Sequence, residues 1–179
     1  EIPLSGEFNV ANALAAASCA LALGRTLDDV VARLADAPQV PGRMERLATA
    51  PCTVLRDYCH TPDAFERVLA TLRPLTPGRL MILFGCGGDR DRGKRPEMGG
   101  IAARRADLVY LTTDNPRSED PDRIIDDIAG GMGGAPYHRI LDRREAIAAA
   151  LAGAAPGDTL LLAGKGHETY QIIGKEYQP

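Results

Sequence analysis

The sequence predicts an α/β domain with a mainly parallel sheet and helices on both faces, preceded by a helical hairpin. Three observations carry that expectation. From about residue 52 onward, short apolar runs of strand length alternate with stretches of helix length, the pattern of right-handed βαβ units. Before residue 40 the pattern is helical, and Pro38-Gln39-Val40-Pro41-Gly42 separates the two regimes with two prolines and a glycine in five residues. Four strands run into loops of Gly, Asp, Asn, Arg and His in place of ordinary connections, and in a parallel sheet such loops open on one edge.

Small and apolar residues dominate Phe8 to Leu23, Gly24 is a helix stop, and Thr26 is the N-cap of a second helix through about Asp36. Asn9 and Asn12, at i, i+3 spacing, belong either to a frayed helix start or to a face that presents two amides to a ligand. After the break near residue 40, Met44 to Ala48 and Cys52 to Arg56 read as short strands joined by a tight turn through Thr49 to Pro51. Thr61-Pro62 opens a helix to about Leu72, with threonine as cap and proline at the first helical position. Arg79 to Phe84 is an apolar strand, Gly85 to Gly93 a loop and Pro96 to Arg104 a helix. Leu108 to Thr113 is a buried strand that Asn115-Pro116 ends, because the residue before proline is driven toward extended or turn geometry. Pro121 to Ala129 is a helix, Tyr137 to Leu141 a short strand, Arg144 to Leu151 an alanine-rich helix and Thr159 to Ala163 a strand. Tyr170 to Ile173, with Glu176 and Tyr177, closes a hairpin. The expected domains are 1–40 and 41–179.

With 179 residues and 45% hydrophobic content, the chain can bury one core and carry a fragment of a second domain. A net charge of -3 argues against a nucleic-acid binder. No stretch approaches the ~20 apolar residues of a membrane span. Cys19, Cys52, Cys59 and Cys86 show no C-x-x-C spacing and read as core fillers in a reduced, cytoplasmic compartment. The start at Glu1 and the end at Tyr177-Gln178-Pro179 read as cuts. Lys94, Lys165 and Lys175 are the only lysines among 21 basic residues, and two lie in glycine-rich loops, where an ammonium beside backbone N–H groups suits phosphate.

The four loops are Tyr58-Cys-His-Thr-Pro62, Gly85 to Arg95, Asp114-Asn-Pro-Arg117 and Gly164-Lys-Gly-His-Glu168. Gly88-x4-Gly93-Lys94 nearly matches a P-loop, but Arg95 stands where a Ser or Thr should ligate Mg²⁺. The dinucleotide fingerprint fails because Arg90 occupies the place of its third glycine. Anion recognition by Arg90, with Arg92, Lys94 and Arg95 nearby, is the better use of this loop; a solvated loop whose arginines pair with Asp89 and Asp91 is the alternative. His60 and His167 lack metal-ligand spacing, so no metal site is expected, and His138 reads as structural.

The sequence closely resembles the C-terminal part of the Mur ligases, and within them the diaminopimelate-adding branch of MurE type. The match runs through Gly6-Glu-Phe-Asn-Val-Ala-Asn12, Gly42-Arg-Met-Glu45, Asp57-Tyr-Cys-His-Thr-Pro-Asp63, Phe84-Gly-Cys-Gly-Gly-Asp-Arg-Asp91, Gly93-Lys-Arg-Pro96, Asp114-Asn-Pro-Arg117 and Gly164-Lys-Gly-His-Glu168. Cys59 departs from the alanine usual there. The resemblance implies a Rossmann-like C-terminal domain over 41–179 and, over 1–40, the helical tail of a central ATP-binding domain. It implies an ATP- and Mg²⁺-dependent ligase of peptidoglycan precursor synthesis that joins meso-diaminopimelate to UDP-N-acetylmuramoyl-L-alanyl-D-glutamate through an acyl phosphate. Asn9, Asn12, Arg43 and Asp57 would meet ATP. Arg90, Asp114, Asn115, Pro116, Arg117, Gly164 and Glu168 would hold diaminopimelate, Arg117 taking the distal carboxylate and Glu168 the adjacent ammonium.

The same resemblance puts the P-loop, the Mg²⁺ ligands and a carbamylated lysine outside these residues, so no catalytic group is expected here and the segment alone should be inactive. A monomer is expected. A stand-alone module that binds a nucleotide or amino acid without catalysis is the competing expectation, and the broken glycine pattern disfavours an NAD-dependent oxidoreductase.

Overall fold

The computed structural model describes residues 2–3 and 6–178, apart from the side chain of Glu7. The chain divides into two compact units, Glu1–Val40 and Pro41–Pro179.

The first unit holds α1 (Glu7–Ala22) and α2 (Leu27–Ala35). Gly24, with φ of 84°, closes α1 by letting the Arg25 N–H return to the Ala20 carbonyl at 3.1 Å. Thr26 caps α2, its hydroxyl oxygen accepting from the Asp29 N–H at 3.3 Å. Asn9 and Asn12 lie within α1 on one face, and the Asn12 side-chain amide donates to Asn9 Oδ1 at 3.4 Å. Cys19 is exposed, contrary to its reading as a core filler. Two helices alone enclose little interior, and Val30 is the buried residue of α2.

The second unit runs β1 (Glu45–Ala48), β2 (Thr53–Asp57), α3 (Pro62–Leu72), a 3-10 turn (Arg73–Leu75), β3 (Leu80–Phe84), α4 (Lys94–Arg105) and β4 (Leu108–Leu111). It continues through α5 (Pro121–Gly130), β5 (His138–Arg139), α6 (Arg143–Ala152), β6 (Thr159–Ala163), β7 (Gln171–Ile173) and β8 (Glu176–Gln178). The main sheet has the order β1-β2-β6-β3-β4-β5, and only β1 is antiparallel to its neighbour. Strands β7 and β8 pair as a separate hairpin.

All five residues of β3 are buried, as a central strand covered on both faces requires. Right-handed crossovers put α3, α4 and α5 on one face and α6, which returns the chain in the opposite direction, on the other. Met81, Leu83, Tyr110 and Leu160 accordingly pack with Ala146 and Ala150 of α6. On the opposite face the Phe65 ring of α3 meets Phe84 at 4.7 Å. The small side chains of α6 let its backbone lie close to the sheet.

Register decides where the strands end. Asp57 pairs with Ala163, Leu83 with Leu162 and Phe84 with Leu111, so the last residues of β2, β6, β3 and β4 form one row. Since β6 inserts between β2 and β3 while β4 and β5 build outward, the strand order reverses at this edge, the arrangement that opens a ligand crevice. Helix α4 begins at Lys94, two residues before the expected Pro96. The proline sits in the first turn, where its missing N–H costs no helical hydrogen bond.

Candidate functional site

The four loops beyond that row enclose a cavity of about 400 Å³. The β2 loop contributes Tyr58, His60 and Thr61, and the β3 loop contributes Gly87, Arg90, Asp91 and Lys94. Asp114, Asn115 and Arg117 come from the β4 loop, and Gly164 and Glu168 from the β6 loop. Residues up to 110 positions apart (58 to 168) thereby share one wall. Among the expected diaminopimelate residues, Pro116 alone does not line this cavity; it is buried, with its carbonyl oxygen accepting from the Glu119 N–H at 3.0 Å.

The β3 and β4 loops are locked together. Gly88 donates its N–H to the Asn115 carbonyl at 2.9 Å, and a Cβ at Gly88 would stand 1.8 Å from the Pro116 carbonyl oxygen. Glycine here permits close approach of one loop to another, which explains a glycine cluster that fits neither a P-loop nor a dinucleotide turn. Asp89 accepts from the Ser118 N–H and hydroxyl at 3.2 and 2.7 Å, while its own N–H donates to Glu119 at 2.6 Å.

Glu119 also receives Arg95 at 2.9 Å, and Arg95, fully buried, reaches Asp127 at 2.8 Å. Hydrogen bonds from Arg95, then the Asp89 N–H, hold the Glu119 carboxyl down at about 2. The basic residues of the β3 loop therefore divide by task. Arg90 and Lys94 line the cavity, whereas Arg92 and Arg95 pair with Glu119 and do not line it. Burial explains the place of Arg95: α4 starting at Lys94 turns it inward, where an unpaired guanidinium would be costly.

Arg117 is built into place by its backbone. It adopts φ of 51°, uncommon for a residue with a side chain. The Arg117 N–H donates to the Ile172 carbonyl at 3.0 Å, and its own carbonyl accepts from the Gly174 N–H at 2.8 Å, fastening the loop to the β7–β8 hairpin. Its guanidinium donates through Nη1 to the carbonyls of Gly88 (2.9 Å) and Asn115 (3.4 Å). Its remaining N–H groups meet no protein acceptor among the described residues. A half-buried arginine fixed by neutral carbonyls, with no carboxylate at ion-pair distance among the described residues, is prepared for an incoming anion.

Across the cavity, Glu168 accepts through Oε2 from the Asn115 amide at 3.0 Å, and Oε1 has no protein donor among the described residues. Gly164 has φ of 98°, and a Cβ there would stand 2.9 Å from Asp114 Oδ2, so glycine is required by conformation and by clearance. Lys165 corrects the phosphate reading given to it from sequence. Its buried ammonium is consumed by Asn115 Oδ1 (2.5 Å), the Tyr170 carbonyl (2.6 Å) and Asp114 (3.3 Å). The only sequence signal of this role was a rare lysine placed immediately after a buried strand. Lys94 is likewise tied, donating to the His60 carbonyl at 2.8 Å.

Arg43 is exposed, its guanidinium 5.1 Å from the Tyr58 ring centroid, and that ring also contacts His60 and His167. This stacking holds a solvent-facing cation at the entry to the β2 loop. Asp57 is buried, its two oxygens accepting from the Met44 N–H (2.8 Å) and the Cys59 N–H (2.7 Å), so it fixes the turn that carries Arg43. Burial pushes the Cys86 thiol up to about 12 and the Cys59 thiol well up, so neither supplies a thiolate nucleophile. Among the described residues no group of three His, Cys, Asp or Glu side chains is arranged to hold a metal, and no helix is long and apolar enough to cross a membrane.

The family model "Mur ligase, glutamate ligase domain" matches residues 42–166. The UDP-N-acetylmuramoyl-L-alanyl-D-glutamate--2,6-diaminopimelate ligase of Thermosynechococcus vestitus is 53% identical over an alignment of 180 positions that covers 97% of this chain and 36% of that protein. A solved structure of a ligase of the same description superposes with a TM-score of 0.76 at 44% identity, covering 99% of this chain and 37% of the other. Mycobacterium tuberculosis folylpolyglutamate synthase, solved with ADP and AMPPCP, matches with a TM-score of 0.73 at 27% identity, covering 91% of this chain and 38% of that one. The chain thus spans about a third of the length of these relatives. A parallel sheet with this edge cavity, matched over most of its length, belongs to the Mur ligase family and carries its glutamate ligase domain.

Proposed function

We propose that the chain is the C-terminal part of an ATP-dependent amide-forming ligase that adds meso-diaminopimelate to UDP-N-acetylmuramoyl-L-alanyl-D-glutamate, a step of peptidoglycan precursor synthesis in the cytoplasm. The observation that carries this reading is that Arg117 and Glu168 line the same cavity. One cavity offers a guanidinium with free N–H groups and a carboxylate with a free oxygen, the complement of an amino acid's carboxylate and ammonium. Arg90 adds a second cation on the same wall. Lysine, which lacks the second carboxylate, would leave Arg117 unpartnered, and sites built for a polar group reject such analogues by roughly 10⁴- to 10⁵-fold.

In this reading ATP transfers its terminal phosphoryl group to the D-glutamyl carboxylate. Arg43 meets developing phosphate charge, Asp57 acts near the ribose and through the turn it holds, and Asn9 and Asn12 of the 1–40 unit face the base. That unit is then the helical tail of the central ATP-binding domain, and Mg²⁺ is held by residues outside this chain. The incoming amine, oriented by Glu168 and Arg117, attacks the acyl carbon and phosphate leaves. What favours a ligase over a stand-alone binding module is that the relatives carry this segment as about a third of a longer ligase.

The test is steady-state kinetics of the full-length protein with meso-diaminopimelate and with L-lysine. Arg117→Ala is expected to lower kcat/KM for diaminopimelate by about 100-fold or more while changing the KM for ATP by less than about threefold. Normal use of diaminopimelate by that variant would refute the assignment.

A further inference from the structure

We propose that Lys165 is the positioning residue of the amino-acid cleft: its buried ammonium fixes Asn115 and Glu168 in the arrangement that receives the ligand's ammonium. The proposal rests on the diaminopimelate reading given above. Lys165 does not line the 400 Å³ cavity; it lines a second cavity of about 380 Å³, and Glu168 borders both. It therefore acts from behind the wall.

The geometry explains how. Asn115 Oδ1 accepts from Lys165 Nζ at 2.5 Å and from the Ile172 N–H at 2.9 Å, which fixes the amide so that Nδ2 points at Glu168, 3.0 Å away. Were the amide reversed, its Nδ2 would face two donors. Lys165 Nζ also lies 3.3 Å from Asp114 and 3.4 Å from Glu168, between two carboxylates that border the same cavity. Without the ammonium these two acids repel each other, and nothing on that side holds the Glu168 carboxylate where it receives an ammonium. The Tyr170 carbonyl, 2.6 Å from Nζ, holds the end of the loop that carries Glu168.

The experiment uses the full-length protein with diaminopimelate varied and the other substrates saturating. Lys165→Met, which keeps the stem and removes the charge, is expected to raise the KM for diaminopimelate roughly 10- to 100-fold, with the KM for ATP changed by less than about threefold. Lys165→Arg keeps the charge but brings a wider head, and should raise the same KM more than about threefold. If Lys165→Met does not fold, Lys165→Arg decides by that threshold.

Because Lys165 works through Glu168, the double variant Lys165→Met with Glu168→Gln should lose less than the sum of the two single losses. Wild-type KM for diaminopimelate in the folded variants, an equal rise in the KM for ATP, or full additivity would each overturn the proposal. Arg117→Ala separates the two ideas. If it impairs diaminopimelate use and the Lys165 variants do not, only the Lys165 role fails; if it leaves diaminopimelate use unchanged, both fall.

Discussion

Glu119 shows how much of the cleft depends on one residue outside it. Its carboxylate joins Arg95, Arg92 and the Asp89 N–H, and so couples α4 to the two loops that shape the cavity. Its carboxyl lies at about 2, below the ordinary 4.5, so its contribution to stability is fully present above 4.5 and is lost as pH falls from 4.5 toward 2. Glu119→Gln should destabilise the chain by about 2 kcal/mol at pH 7 and flatten the acid limb of a pH–stability curve measured by denaturant unfolding. An unchanged acid limb would show that another group governs it. Asp158, held at about 2 chiefly by Arg79, supplies the part of the limb that the variant retains.

None of this was legible in the string Arg90-Asp-Arg-Gly-Lys-Arg-Pro96, because four neighbouring cations look alike until a helix start decides which one turns inward. The opposite holds for Arg117. Asn115-Pro116 ended the strand in the sequence, and the arginine just beyond had to lie at its edge.

At the scale of elements, the β7–β8 hairpin proves to be the support on which the Arg117 loop rests. Gln171 donates to the Thr113 and Asp114 carbonyls at 3.2 and 2.8 Å, and the Ile172 and Gly174 backbones bond Arg117. The sequence announced a hairpin but not what it carries, since backbone pairing between distant segments leaves no local pattern. The glycines of the β3 loop were legible as special and misleading in kind: they resemble a phosphate cradle, yet Gly88 exists to admit the Pro116 carbonyl. Gly88→Ala is expected to displace the β4 loop, raising the KM for diaminopimelate about tenfold or more and lowering stability by roughly 2 kcal/mol. Enzyme kinetics beside thermal unfolding would check both, and a variant with wild-type values would show that the loops can separate at little cost.

On the scale of the whole molecule, the sheet was readable because strand and helix periods alternate cleanly, whereas the strand order was not. Only the register that levels Asp57, Phe84, Leu111 and Ala163 brings four loops to one place. The cleft for the amino acid lies inside the 41–179 unit, while the proposed contacts to ATP are divided between Arg43 and Asp57 there and Asn9 and Asn12 in the 1–40 unit. The two functions should therefore separate under mutation. Arg43→Ala in the full-length protein is expected to lower kcat by about 100-fold while leaving the KM for diaminopimelate within about threefold of wild type. A rise in that KM as large as the loss in kcat would argue that Arg43 belongs to the amino-acid cleft.

The central assignment is that the cavity between Arg117 and Glu168 holds one amino-acid end of diaminopimelate by its carboxylate and its ammonium. A crystal structure of the full-length protein with meso-diaminopimelate bound tests this most directly. The expected result is one amino-acid end of the ligand in that cavity, its carboxylate about 2.8 Å from the Arg117 guanidinium and its ammonium on Glu168. Diaminopimelate bound elsewhere, with Arg117 still donating only to the Gly88 and Asn115 carbonyls, would contradict it.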